Sequence, residues 1–571
     1  MKKEFLFILL ISSILFSMCP SGVRQIEVPA VVGGDEGDSL AIQVRIEPGD
    51  SNIYTSISPK TGISTQSSEE NAIISSFLIS NKSLDECTIH FDIINTLNSK
   101  FVDGPSAGAA MAVASSAVLQ NKTLRTDVVI TGTIDKKGNI GTVGGVSEKT
   151  IAASRSGKSY FLTPIPSIRD RIIVAALEDV NNIQILDIRT LDQANRIFFQ
   201  KEGSVPIVES TPLEHTVISK NIKTLTPVEE LKVFSAIALN LSNTFEKEIN
   251  TQIGILGKNS SRYEFLQFFK EEIEIQNQLI EKGYLFTGAN NIFLQKIDFN
   301  FLMKVGNIDL EFEKQSVQEK LDSITLFPKT EDNWQWICGS EMRINWAEDK
   351  LESLPIFSEK ITEGSEYPYL YEILYANSWL DIATTINLQG NGQLIDESKL
   401  EKLAKDKISL EQQFISSQPE VNSEALRHLR TGQKAFDKGQ YLTAIYDTAF
   451  AHALQQATSD TFYEKDIEKL SERLYNEKTN KTSIWAQLYL TQAKYIYESD
   501  EKSDAYPIFL LSNEFEAVTL ELNNQLDMIG EIQNPSTISD QKADLNVVIL
   551  VLSFLIIIES FLLIYCIQSK N

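Results

Sequence analysis

The sequence predicts an α+β domain, followed by a mainly α-helical region and one C-terminal transmembrane helix. Three observations carry that prediction. Over residues 25–203, strand-like alternation and short amphipathic runs take turns, the texture of a domain mixing strands and helices. Over residues 230–528 the chain changes to long segments rich in Glu, Lys, Leu, Gln and Ala, which favour helix. Residues 547–567 are apolar except Ser553, Glu559, Ser560 and Tyr565. As a helix they would extend ~31 Å, the thickness of a hydrocarbon core.

The elements of the first domain read off in order. Residues 40–46 (LAIQVRI) alternate apolar and polar, a half-buried strand. A helix is predicted over 69–79, a strand over 88–94 and an Ala-rich helix over 106–119. Residues 127–131 are strand-like, 146–154 helical and 159–163 strand-like. Residues 169–177, 183–188 and 191–199 continue as helix, strand and helix. Pro206, Pro212 and Pro227 mark a linker over 204–229. Beyond it, segments 424–437 and 441–458 flank Asp437-Lys438-Gly439-Gln440 as one helical hairpin of tetratricopeptide type, with no further copy at a fixed period. A polar spacer, 529–546, precedes the apolar run.

Composition restricts the function classes. The 571 residues carry 52 Lys and Arg against 77 Asp and Glu, a net charge of −25. That balance argues against nucleic acid as the main partner. Met1-Lys2-Lys3 before the apolar residues 5–18 predicts a leader over residues 1–24, as a signal peptide or an uncleaved anchor. Lys570 follows the apolar C-terminal run, and Asp540 and Asp544 precede it, which predicts that the bulk of the chain faces outward. Of four cysteines, Cys19 falls in the leader and Cys566 in the apolar run, leaving Cys87 and Cys338. Whether those two pair is open from sequence. Sequons at Asn81, Asn121, Asn240, Asn259 and Asn480 are compatible with export.

Two segments carry chemistry. Asp103-Gly104-Pro105-Ser106-Ala107-Gly108 predicts a tight turn opening a helix, with Ser106 at its start. Unpaired N–H groups and the positive dipole end there favour developing negative charge. A serine that merely caps a helix is the plainer reading of such a turn. Gly144-Gly145-Val146-Ser147-Glu148-Lys149 places Lys149 early in a second helix, where a lysine is ordinarily solvated. Serine needs a base to act as a nucleophile. The chain has four histidines, and only His90 lies in the first domain. A neutral, desolvated lysine can take that role.

Together DGPSAGAAMA, DVVITG and VGGVSEKTIAA resemble the proteolytic domain of Lon-type proteases, a Ser–Lys dyad family. The resemblance covers about residues 38–200 and assigns Ser106 as nucleophile and Lys149 as base, 43 residues apart. It implies that Thr131 hydrogen-bonds and orients the lysine and that Asp103 shapes the turn or poises the site, a solvated turn aspartate being the competing reading. His90 matches a strand histidine of the family loosely, across a short length difference, and reads better as a half-buried strand residue. The family's T-G-E reads Thr131-Gly132-Thr133 here, and Ser147 replaces the first lysine of its K-E-K. The family's ATPase loop G-x-x-x-x-G-K-[ST] has no match, because Gly157-Lys158-Ser159 has Ala152 where the first glycine belongs. The chain is similar to archaeal Lon-like serine proteases with an export signal and no ATPase module.

The resemblance implies a membrane-anchored, outward-facing, ATP-independent serine endopeptidase acting on unfolded or flexible polypeptides. It needs no cofactor and no metal, and a homo-oligomer is plausible because related domains form rings. The alternative is a catalytically inactive pseudo-protease serving as a surface scaffold.

Overall fold

The structure is a computed structural model. It describes residues 19–526 apart from 33–35, 57–59, 95–100, 103, 166, 208–212, 227, 259, 261, 358–363, 365, 464–465 and 478–480.

The chain opens as a long hairpin of β1 (Gly22–Val32) and β2 (Glu36–Pro48), antiparallel from Gly22 opposite Ile46 to Val32 opposite Glu36. β5 (Cys87–Ile94) pairs antiparallel with β2, and the short β3 (Ile53–Thr55) runs parallel to β5, giving a four-stranded sheet in the order β1-β2-β5-β3. Period-two alternation explains it. Ile42, Val44 and Ile46 of β2, with Cys87, Ile89, Phe91 and Ile93 of β5, are buried. Between β3 and β5 come β4 (Lys60–Thr61) and helix α1 (Ile63–Ile79). β4 pairs in parallel with β6 (Phe101–Val102), which leads into the serine-bearing turn.

Helix α2 (Gly108–Leu119) is buried along its whole length. Ala109, Ala110, Ala112 and Ala114 let it lie close to α1 and to the sheet. A second sheet of three parallel strands follows: β7 (Val128–Ile130), then β10 (Tyr160–Thr163) in the centre and β11 (Gln184–Asp187). Between β7 and β10 lie the small hairpin β8 (Thr133–Ile134) and β9 (Ile140–Gly141) and helix α3 (Val146–Arg155). α4 (Ile168–Asn181) connects β10 to β11, and α5 (Leu191–Phe198), closed by a capping box at Thr190, ends the domain.

Twelve further α-helices follow among the described residues, from Lys232–Leu256 to Lys502–Gln525. They do not stand apart. One continuous core joins Ile151, Phe161, Ile172 and Leu177 of the α/β domain to Phe245, Phe269, Phe301 and Trp346 of the helical region. Across this boundary the Arg169 guanidinium lies 4.6 Å from the Tyr371 ring centroid, and the Tyr371 hydroxyl donates to Asp298 at 3.1 Å. The predicted linker is docked as well. Glu272 accepts from the Thr216 N–H and hydroxyl at 2.7 Å each and contacts His215 Nδ1 at 3.0 Å. The expected hairpin is present as Ser423–Asp437 and Tyr441–Tyr463.

The mixed domain and the helical region agree with the sequence, but the fold class needs a correction. No helix among the described residues is long and apolar enough to cross a membrane. Even the 25-residue Lys232–Leu256 has polar positions along it and buries Phe234, Ala238, Phe245 and Ile249 against protein. The C-terminal transmembrane helix is therefore withdrawn from the architecture. Residues 547–567, like the apolar part of the leader and the spacer 529–546, lie outside the described residues.

Two further features concern the N-terminal end and the cysteines. β1 begins at Gly22, within the range read as leader. Cys87 pairs with Cys19 rather than Cys338, with the two Cα atoms 5.4 Å apart. Cys338 is buried and free inside the helical core. Because β1 lies beside β2 and β2 beside β5, the N-terminal end is carried to the start of β5, where Cys87 stands. Asn81, Asn121 and Asn240 are exposed, and Asn259 and Asn480 lie outside the described residues.

Candidate active site

Ser106 is the middle residue of a short 3-10 turn, Pro105–Ala107, that runs directly into α2. Proline at the first position suits such a turn, since its missing N–H has no helical partner to lose. Gly108 follows because its Cα lies against β8. A Cβ there would come within 2.8 Å of the Ile134 side chain. Ser106 is half-buried.

The end of β7 clamps this turn. The Gly132 N–H donates to the Ser106 carbonyl at 2.9 Å, and the Thr131 hydroxyl donates to the same oxygen at 3.1 Å. The Ala109 N–H returns a bond to the Gly132 carbonyl at 3.0 Å. Thr131 is fully buried. Its hydroxyl thus holds the peptide of the serine, where the resemblance had it orient the lysine.

Lys149 lies in the first turns of α3. The helix starts from Gly145 at φ +68°, a left-handed conformation natural to glycine, and a Cβ there would meet Val31 of β1 at 2.6 Å. The Lys149 side chain is only 4% exposed. Its amine donates to the Gly144 carbonyl at 2.9 Å. Burial pushes the amine down to about 8, and the negative charge of neighbouring Glu148 opposes that shift. Gly37 of β2 and Gly364 of the helical region both pack against the Glu148 backbone. The lysine helix is therefore covered from both parts of the molecule.

The four histidines are held by contacts of their own. His90 stacks on Tyr54 and contacts Glu47 at 3.2 Å. His215 contacts Glu272, His428 contacts Asp447, and His452 contacts Glu411. Each histidine is thus engaged with a carboxylate. Asp103 lies outside the described residues.

The family model for the Lon protease (S16) C-terminal proteolytic domain matches residues 36–196, which include Ser106, Thr131 and Lys149. Residues 36–196 are a Lon-type proteolytic domain. The Lon-type domain is 33% identical over 117 residues to "Lon protease 2" of Sorangium cellulosum, covering 20% of this chain and 14% of that protein. It is 35% identical over 106 residues to "Lon protease" of Paraburkholderia phytofirmans, covering 18% and 12%. It is 38% identical over 89 residues to "Lon protease" of Methylocella silvestris, covering 16% and 11%. The chain thus spans little more than a tenth of the length of these relatives.

Sequence reasoning missed one set of residues at the site. Thr65 and Ser68 of α1 donate their hydroxyls to the carbonyls of Gly104 and Pro105 at 3.4 and 3.3 Å. Asn71 Nδ2 donates to the Ile134 carbonyl at 3.1 Å. The spacing of three was visible in Thr65-x-x-Ser68-x-x-Asn71, but nothing local said what the stripe would face.

Proposed function

We propose that this protein is an ATP-independent serine endopeptidase in which Ser106 is the nucleophile and Lys149 its base. The observation that carries this reading is the burial of Lys149, which brings its loss of a proton down from the usual lysine range to about 8. A neutral amine can take the Ser106 proton as the hydroxyl attacks the peptide carbonyl and then deliver it to the leaving amine. The N–H groups of the 3-10 turn supply the oxyanion donors, since the first N–H groups of a helix have no intrahelical acceptor. Thr131 and Gly132 hold the serine peptide in place, so the nucleophile is aimed before substrate binds.

The substrate class follows from what the chain supplies. No stretch of its 571 residues carries the ATPase loop pattern. Without driven unfolding, the substrates are extended or already unfolded polypeptides. We place the domain in an oxidising compartment outside the cytoplasm, a setting supported by the Cys19–Cys87 disulfide. The scaffold reading is favoured by one observation: the amine of Lys149 donates to the Gly144 carbonyl.

The discriminating experiment compares an unfolded protein substrate with a tightly folded one, without nucleotide. Wild type should cut the unfolded chain and spare the folded one, and Ser106→Ala and Lys149→Ala should cut neither. If no polypeptide is cut by the intact protein, the scaffold reading stands.

A further inference from the structure

We propose that the Thr65–Ser68 hydroxyl pair of α1 is a positioning device for the nucleophile, fixing the two peptide planes that lead into Ser106. The inference deepens the serine endopeptidase reading above and rests on it.

Thr65 and Ser68 are 1% and 4% exposed, so their hydroxyls have no bulk water to turn to. One donates to the Gly104 carbonyl and the other to the Pro105 carbonyl. Those carbonyls belong to the peptide groups Gly104–Pro105 and Pro105–Ser106. The second amide carries the N–H of Ser106 itself. A donor on its carbonyl both fixes the plane and polarises the N–H on the opposite side. That N–H is one of the candidate oxyanion donors. From the other side, Thr131 and Gly132 hold the next carbonyl, that of Ser106. Three successive carbonyls, Gly104, Pro105 and Ser106, are thus each held by groups from outside the turn. Asn71 ties the same helix to Ile134, whose side chain seats Gly108. The brace therefore grips both ends of the turn.

Folding alone does not demand this arrangement. The Pro105 carbonyl already accepts from the Gly108 N–H, so losing the Ser68 hydroxyl leaves it satisfied. What Ser68 adds is direction. A small error in nucleophile placement slows the chemical step with little effect on ground-state binding.

The test measures kcat and KM on an unfolded polypeptide, with the full chain, for Ser68→Ala, Thr65→Val and Thr65→Ser. Thr65→Val keeps the shape and deletes the hydroxyl; Thr65→Ser keeps the hydroxyl and deletes a methyl. The expected result is a fall of about tenfold in kcat for Ser68→Ala and Thr65→Val. KM should stay within about twofold and Thr65→Ser near wild type, since only transition-state placement is lost. Ser106→Ala is run alongside. Activity that depends on Ser106 but is indifferent to the two deletions, or a loss equally large in Thr65→Ser, overturns the brace alone. Activity that survives Ser106→Ala overturns the brace together with the dyad reading.

Discussion

Lys149 shows how burial sets chemistry. A solvated lysine is charged near neutrality and useless as a base; desolvation brings this amine to about 8. The same burial costs stability. The folded state gives up its proton more readily than the unfolded chain, so between about pH 8 and pH 10.5 the unfolded chain binds more protons, while below pH 8 both are charged and the desolvation cost is carried in full. Stability should therefore rise with pH between about 8 and the ordinary lysine value of 10.5. Lys149→Met should abolish cleavage and yet raise the unfolding free energy of the protein at pH 7 by about 2 kcal/mol, after loss of the Gly144 bond. Urea unfolding at pH 7 and pH 10.5 checks this, with the gain predicted only at the lower pH. A destabilised methionine variant at pH 7 would contradict the assignment of a buried, reluctant cation.

At the scale of elements, α1 carries more than its sequence announced. The candidate residues Ser106 and Lys149 could be picked out because DGPSAG and GGVSEK are local: the turn, its proline and the small residues that open each helix are adjacent in the chain. The start of α1 was not. Ile63-Ser64-Thr65-Gln66-Ser67-Ser68 is rich in residues that compete with helix, so the sequence predicts a helix only from residue 69. The structure begins it at Ile63, because acceptors more than thirty residues away, at Gly104 and Pro105, take up the hydroxyls. β1 was hidden for a different reason: its partner register with β2 exists only once the hairpin closes. The same helix holds Glu69, 2% exposed, with one carboxyl oxygen accepting from Thr55 and the other buried with no hydrogen-bond partner. Burial raises this carboxyl to about 7, and the Thr55 bond opposes the rise. Its folded value lies above the unfolded one, so the stability tied to its proton is full below about 4.5 and is lost as pH rises through 7. Glu69→Gln should match wild type at pH 4.5 and exceed it by about 2–3 kcal/mol at pH 9 in denaturant titrations. Equal stability of the two proteins at pH 9 would mean that this carboxyl is not desolvated.

On the whole-molecule scale, the two regions form one body around a shared core, with Gly364 of the helical region against the lysine helix. The helical region is therefore part of the surroundings of the candidate site. The residues that join the regions, Arg169, Tyr371 and Asp298, lie far apart in sequence and carry no motif, which is why sequence reading treated the helices as a separate block. The disulfide is a second long-range feature. It closes a loop of 68 residues around the four-stranded sheet, and loop closure of that size typically stabilises by about 2–4 kcal/mol. Peptide mapping without reductant should find Cys19 linked to Cys87, and Cys338 should resist alkylation until the protein is denatured. Reduction should lower the unfolding midpoint; a Cys87–Cys338 linkage in the native protein would contradict the arrangement of the N-terminal strands.

The central claim is that a buried lysine activates Ser106. It is tested most directly by the pH dependence of kcat/KM for nucleotide-free cleavage of an unfolded polypeptide by wild type, Ser106→Ala and Lys149→Ala. Loss of a proton from Lys149 creates the base, so wild-type activity should climb through a single ionisation near pH 8 and level off above it, while both variants stay flat and inactive across the range. A wild-type profile without an ionisation near 8, or a Lys149→Ala variant that retains the wild-type profile, would contradict it.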